Sequence, residues 1–144
     1  MTQKLVGGCH CKAIRYEVNQ VIETGYCHCS ICRKLSGAPA LAWALATKEN
    51  FQLLTGNPTE YASSELATRS FCPVCGSQVF GLIGVLEIFW INLGTLDKPE
   101  LVKPQTHICA ADQVSWFSLD DSLPRYESNV TPKLEKLIQK AGLG

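Results

Sequence analysis

The sequence has no surplus of charge of either sign. Thirteen Lys and Arg balance thirteen Asp and Glu over 144 residues. Non-specific DNA binding draws its affinity mainly from phosphate neutralisation, so a chain with no positive excess is a poor candidate for it. The same argument weighs against anionic membrane surfaces. Long apolar runs are missing too. The most apolar stretch, Val79 to Leu93, is interrupted by Gly81, Gly84, Glu87 and Asn92. It falls short of the roughly 20 residues that cross a bilayer. Met1 to Gly8 contains no apolar core of the kind a secretory signal needs. A cytoplasmic location is the expectation. Repeats, low-complexity tracts and long linkers are absent as well. The composition that remains, 46% hydrophobic and 18% charged, is that of a folding chain, sized for a single domain over 1–144.

Strand signals are short and frequent. Ile14, Tyr16 and Val18 alternate with Ala13, Arg15 and Glu17, the period-2 pattern of a half-buried strand. Leu41 to Ala46, Phe51 to Leu54, Arg69 to Phe71, Val79 to Leu82 and Leu86 to Leu93 read as further strands, broken by Gly56-Asn57-Pro58, by Gly84 and by Asp97-Lys98-Pro99. Ser30 to Leu35 fits a short helical turn. One longer helix is expected over about 131–141, with Thr131 as N-cap, Pro132 at the first position and Gly142 as the stop. Its Leu134, Leu137, Ile138 and Ala141 form one apolar stripe that packs on the body of the domain. The fold class is mainly β, with cysteines at the turns.

Seven of the eight cysteines fall in three clusters: Cys9-His10-Cys11, Cys27-His28-Cys29-Ser30-Ile31-Cys32 and Cys72-Pro73-Val74-Cys75-Gly76. In a cytosolic chain such spacing points to metal or redox chemistry rather than structural disulfides. The last cluster has the form of a metal knuckle, with Gly76 suited to the positive φ of its turn. Four thiolates close a structural tetrahedron, and three leave a position open for water or substrate. Seven ligands therefore divide as four plus three. Cys9 and Cys11 pair best with Cys72 and Cys75, leaving Cys27, Cys29 and Cys32 as a local trio. A site built from Cys29, Cys32 and the late knuckle is the other division. Zinc suits thiolates in tetrahedral geometry, and the C-x-C pairs do not match iron–sulfur spacings. His10 and His28 read as exposed polar residues, because a His beside a cysteine in a tight turn points away from the metal. Cys109 has no cysteine near it in sequence and reads as a small buried hydrophobe. Trp43 and Trp116 read as core.

The segments Gly8 to Val18, Cys27 to Gly37, Phe71 to Ser77, Gly94 to Asp97, Pro104 to Ile108, Trp116 and Leu123 to Tyr126 resemble, in order, the glutathione-dependent formaldehyde-activating enzyme family, which includes centromere protein V. They cover about residues 5–127. The resemblance implies a β-tent zinc fold of short antiparallel strands. It implies a structural zinc on Cys9, Cys11, Cys72 and Cys75, and a labile catalytic zinc on Cys27, Cys29 and Cys32. The implied activity is that of a carbon–sulfur lyase joining formaldehyde to glutathione or a related thiol, or cleaving a thiol conjugate. A small-molecule thiol is then the partner, with no nucleic acid or membrane and a homodimer left open. A zinc on three thiolates is a weak Lewis acid whose natural task is to hold a fourth thiolate. His107 is the candidate proton donor to the resulting alkoxide. Arg33 and Lys34 are candidates to bind glutathione's carboxylates. Position 109 departs from the pattern, carrying Cys where close relatives carry an aromatic residue. The alternative reading is a non-enzymatic zinc module that binds a protein.

Overall fold

A computed structural model describes residues 3–143. Ten strands form two sheets. β1 (Leu5–Gly8), β2 (Arg15–Val18) and β5 (Phe51–Thr55) make a three-stranded antiparallel sheet in the order β1-β2-β5. The larger sheet has seven strands. They are β3 (Glu23–Cys27), β4 (Leu41–Thr47), β6 (Thr59–Ala62), β7 (Ala67–Phe71), β8 (Gln78–Ile83), β9 (Ile88–Asn92) and β10 (His107–Ile108). Their order is β10-β3-β4-β9-β8-β7-β6, and only β10 runs parallel to its neighbour, β3. Two short helices complete the chain, α1 (Ser30–Ser36) and α2 (Pro132–Lys140). This is the mainly β architecture that the alternating runs imply, and its cysteine clusters fit a zinc tent fold. Among the described residues, no helix is long and apolar enough to cross a membrane.

The pleat of the two central strands sorts residues by size. Ala42, Ala44 and Ala46 of β4 and Phe89 and Ile91 of β9 belong to the core shared with Leu5, Ile14, Tyr16 and Val18 of the small-sheet side. Three small alanines leave room there for Phe51 stacked on Phe89 at 4.2 Å and for Phe80 4.8 Å from Phe51. The alternate residues, Leu41, Trp43 and Leu45 of β4 with Ile88 and Trp90 of β9, project to the opposite face. Among the described residues, no second sheet covers that face. Leu134 and Leu137 of α2 reach it, along with Cys27, Cys32 and Cys109. Nine helical residues cannot fill the space a sheet would fill, so large side chains there border an opening.

The helix ends follow their capping residues. The Thr131 side chain accepts from the Leu134 amide at 3.2 Å and donates to buried Glu23 Oε1 at 2.5 Å, which ties α2 to β3. The Cys29 side chain caps α1 by accepting from the Cys32 amide at 3.3 Å.

One close approach positions the far wall of the opening. Gly81 is paired with Arg69 of β7 on one side and Trp90 of β9 on the other. The Trp90 ring lies where a Cβ on Gly81 would go, and the Arg69 guanidinium sits over that ring, 5.2 Å from its centroid. Gly81→Ala is expected to displace the indole and cost about 1–3 kcal/mol, as overpacking does. Urea unfolding would read this, and an unchanged midpoint would contradict it.

Candidate metal centres and the adjoining cavity

The two turns that carry the first sulfur set lie in different sheets. Cys9 and Cys11 sit between β1 and β2, and Cys72 and Cys75 sit between β7 and β8. The four sulfurs lie within 4.8 Å of one another. Cys9 is 3.6 Å from Cys11, and Cys11 is 3.7 Å from Cys72. A tetrahedral zinc with Zn–S bonds of about 2.3 Å requires sulfurs about 3.8 Å apart, so the set matches that ion. Backbone amides support the thiolates. Ile14 N–H donates to Cys9 Sγ at 3.2 Å, and the Val74 and Cys75 amides donate to Cys72 Sγ at 3.4 and 3.5 Å. Hydrogen bonding to Ser77 draws Cys75 down to about 5. Lys12 holds φ 71 to close the Cys9 turn, and Gly76 holds φ 78 to close the other.

The second set forms where β3 ends and α1 begins. The structure brings the sulfurs of Cys27, Cys29 and Cys109 within 4.8 Å of one another. Cys32, one turn into α1, is buried in the same apolar cluster as Cys27 and Cys109, but its sulfur lies outside that 4.8 Å group, so Cys109 stands where the expected trio had Cys32. Cys109 is buried, as its reading as a small hydrophobe requires, but its sulfur joins the thiol cluster instead of packing only on hydrocarbon. Hydrogen bonds from Cys109, Cys27 and Cys32 draw the Cys29 thiol far below its ordinary range. Cys27 is pushed up, first by its hydrogen bond with Cys109 and then by those with Cys29 and Cys32. Cysteine sulfurs gathered in this way are a soft donor set that suits zinc.

These sulfurs form one wall of a cavity of about 690 Å³. Trp43, Leu45, Leu66, Ile83 and Trp90 line its sheet side, and Leu134 and Ile138 of α2 lie across it. Arg69 is the cation in that lining and Glu23 the carboxylate. Arg69 Nη2 donates to Cys32 Sγ at 3.5 Å, and its Nε donates to Ser63 Oγ at 3.0 Å.

His107 does not line the cavity. It is fully buried, between Tyr26 at 5.0 Å and His28 at 5.1 Å. Asp121 lies 3.0 Å from His107 Nε2 and takes its N–H, so His107 Nδ1 accepts from His28 Nε2 at 2.8 Å. His28 Nδ1 is left buried with no hydrogen-bond partner among the described residues. His28 is only 1% exposed, which corrects its reading as a surface residue. Its amide bonds Ile108 O at 3.2 Å, and this continuation of the β3–β10 pairing carries the ring inward. His10 is exposed. Arg33 and Lys34 of α1 stand outside the lining. Trp43 is buried and forms part of the cavity wall, whereas Trp116 is 75% exposed on a turn, not core. The residues that sequence reasoning missed are Arg69, Glu23, Trp90 and the Cys109 sulfur.

The sequence profile of the glutathione-dependent formaldehyde-activating enzymes matches residues 4–112. The chain belongs to that family. As a family member it carries both cysteine sets inside the matched span. It is 28% identical over 126 residues to an uncharacterized lyase of Schizosaccharomyces pombe, across 80% of this chain and 91% of the relative. A crystal structure of a Rhodobacter sphaeroides protein shares the fold, with a TM-score of 0.56 at 23% identity, covering 83% of this chain and 98% of that one.

Proposed function

We propose that the protein is a zinc-dependent carbon–sulfur lyase that makes and breaks the bond between glutathione, or a related thiol, and an aldehyde carbon. The observation that carries this reading is a thiol cluster on the wall of a largely apolar cavity, with one guanidinium beside it. Family membership and the lyase name of the fission-yeast relative support the reaction class. Cys27, Cys29 and Cys32 are the proposed holders of the catalytic zinc, and Cys9, Cys11, Cys72 and Cys75 of the structural one. Zinc bound at the trio would keep a substrate sulfur ionised at neutral pH.

The chain's own groups do the rest. In the cleavage direction the C–S bond breaks with its electron pair going to sulfur. The adduct's hydroxyl loses its proton as the carbonyl forms, and that proton ends on the thiol, so the step is redox-neutral. Arg69 faces the sulfurs with a fixed positive charge, held by Ser63 and by the Trp90 ring, and stabilises the departing thiolate. The apolar walls lower the local dielectric and strengthen that contact. His107 acts at one remove: the Asp121–His107–His28 chain ends between Cys27 and Cys29 and orients them. Arg33 and Lys34, on the helix that carries Cys32, are placed to meet carboxylates of the thiol outside the cavity. Formaldehyde is far smaller than the cavity, which favours thiol conjugates with a larger apolar group.

Exchange NMR tests this by measuring interconversion of glutathione and aldehyde with their S-hydroxyalkyl adduct. Acceleration over the spontaneous rate is expected, more for a medium-chain aldehyde than for formaldehyde. Arg69→Ala should lower kcat/KM about 10- to 100-fold, or 1.4–2.8 kcal/mol. Spontaneous rates throughout would refute the reading. One observation favours the second reading, a zinc module that binds a protein: Cys109 offers the second site a donor of its own.

A further inference from the structure

We propose that Cys109 is a ligand of the second metal centre, closing Cys27, Cys29 and Cys32 into a four-sulfur site. Its sulfur stands within 4.8 Å of both Cys27 and Cys29, the spacing that also holds for the quartet of the first centre. Cys32 would complete the set from the first turn of α1, where its amide donates to Cys29 Sγ at 3.3 Å; its sulfur stands at the edge of the cluster, outside the 4.8 Å trio and 3.5 Å from Arg69 Nη2.

The backbone around Cys109 is built to aim it. The residue takes φ 53 and ψ 38, a left-handed conformation that a side chain with a Cβ adopts only when its surroundings impose it. Two amide bonds hold it there, Cys109 N–H to Ser128 O at 2.9 Å and Ala110 N–H to Tyr126 O at 3.0 Å. The parallel pairing of Ile108 with Cys27 fixes the register that brings the sulfur beside the trio. Charge is matched as well. Four thiolates and a divalent cation leave two negative charges, and the Arg69 guanidinium, 3.5 Å from Cys32 Sγ, offsets one of them.

The donor set is divided in a useful way. Three ligands come from one short segment, Cys27 to Cys32, and the fourth arrives from a distant strand end. Cys109 is therefore the arm that can leave without unfolding β3 or α1. At rest the protein supplies all four sulfurs, and an incoming thiol takes the place of Cys109.

Loading the intact protein with ¹¹³Cd tests the assignment without turnover. Two cadmium resonances are expected, both in the four-sulfur range. In Cys109→Ala one resonance stays, the other moves to the three-sulfur range, and chelator removes that ion at least about tenfold faster. A second wild-type resonance already at the three-sulfur position would overturn the proposal, as would a Cys109→Ala spectrum identical to wild type. The wild-type spectrum decides alone if the variant does not fold. Absent lyase activity leaves the cadmium result unchanged, so the two readings fail separately.

Discussion

Cys72→Ser is expected to unfold the protein. Cys72 is fully buried, accepts two backbone amides and lies 3.7 Å from Cys11. Its quartet joins the β1–β2 turn of the small sheet to the β7–β8 turn of the large one. An ion held by the quartet would staple together two sheets that share a core. Structural zinc contributes about 10–16 kcal/mol of apparent folding free energy. Whole domains have only about 5–15 kcal/mol to lose. A hard hydroxyl in place of a soft thiolate removes most of that contribution and leaves three cysteines without their centre. Far-UV circular dichroism with metal analysis reads the outcome. A Cys72→Ser protein that melts cooperatively at the wild-type temperature would remove the structural role from this quartet.

Cys29→Ser should do the opposite: the fold persists, one metal ion is lost and lyase turnover falls to background. The substitution is well suited to the question because Cys29 has two jobs. It is a member of the second sulfur set, and it caps α1 by accepting the Cys32 amide. Serine is a preferred N-cap, so the hydroxyl keeps the cap and gives up only the soft donor. Stability measured without metal should stay within about 1 kcal/mol of wild type. Cys29→Ala loses both jobs and would blur the result. A Cys29→Ser protein with full metal content and full turnover would show that this cluster is not the reacting centre.

Much of the fold was legible because local signals agree with it. Tyr16 and Val18 are the inward face of β2 and buried Ile14 precedes them just before the strand, and Thr131-Pro132 starts α2 where a cap and a proline should. β3 gave no such signal. Its Glu23 and Thr24 are polar yet buried, since Glu23 is paired with Thr131 and Thr24 Oγ1 donates to Lys103 O at 2.9 Å. Partners 79 and 108 positions away along the chain cannot be read from a five-residue window. Position 109 was hidden for the same reason. Only the parallel register of β10 on β3 carries Cys109 to Cys27, and nothing near it in sequence encodes that register. Arg69 looked like one polar residue in a strand, because its partners, Trp90, Ser63 and Cys32, come from other elements. His28 was misjudged because its ring is buried in a chain with His107 and Asp121, whose members lie far apart in sequence.

Native mass spectrometry of the zinc-loaded protein, with and without excess glutathione, tests the account most directly. The expected result is two zinc ions per folded chain. Glutathione should take up or displace the ion at Cys27, Cys29 and Cys32, while the other stays until the protein unfolds. A single ion per chain, or two ions that leave only together with the fold, would contradict the account.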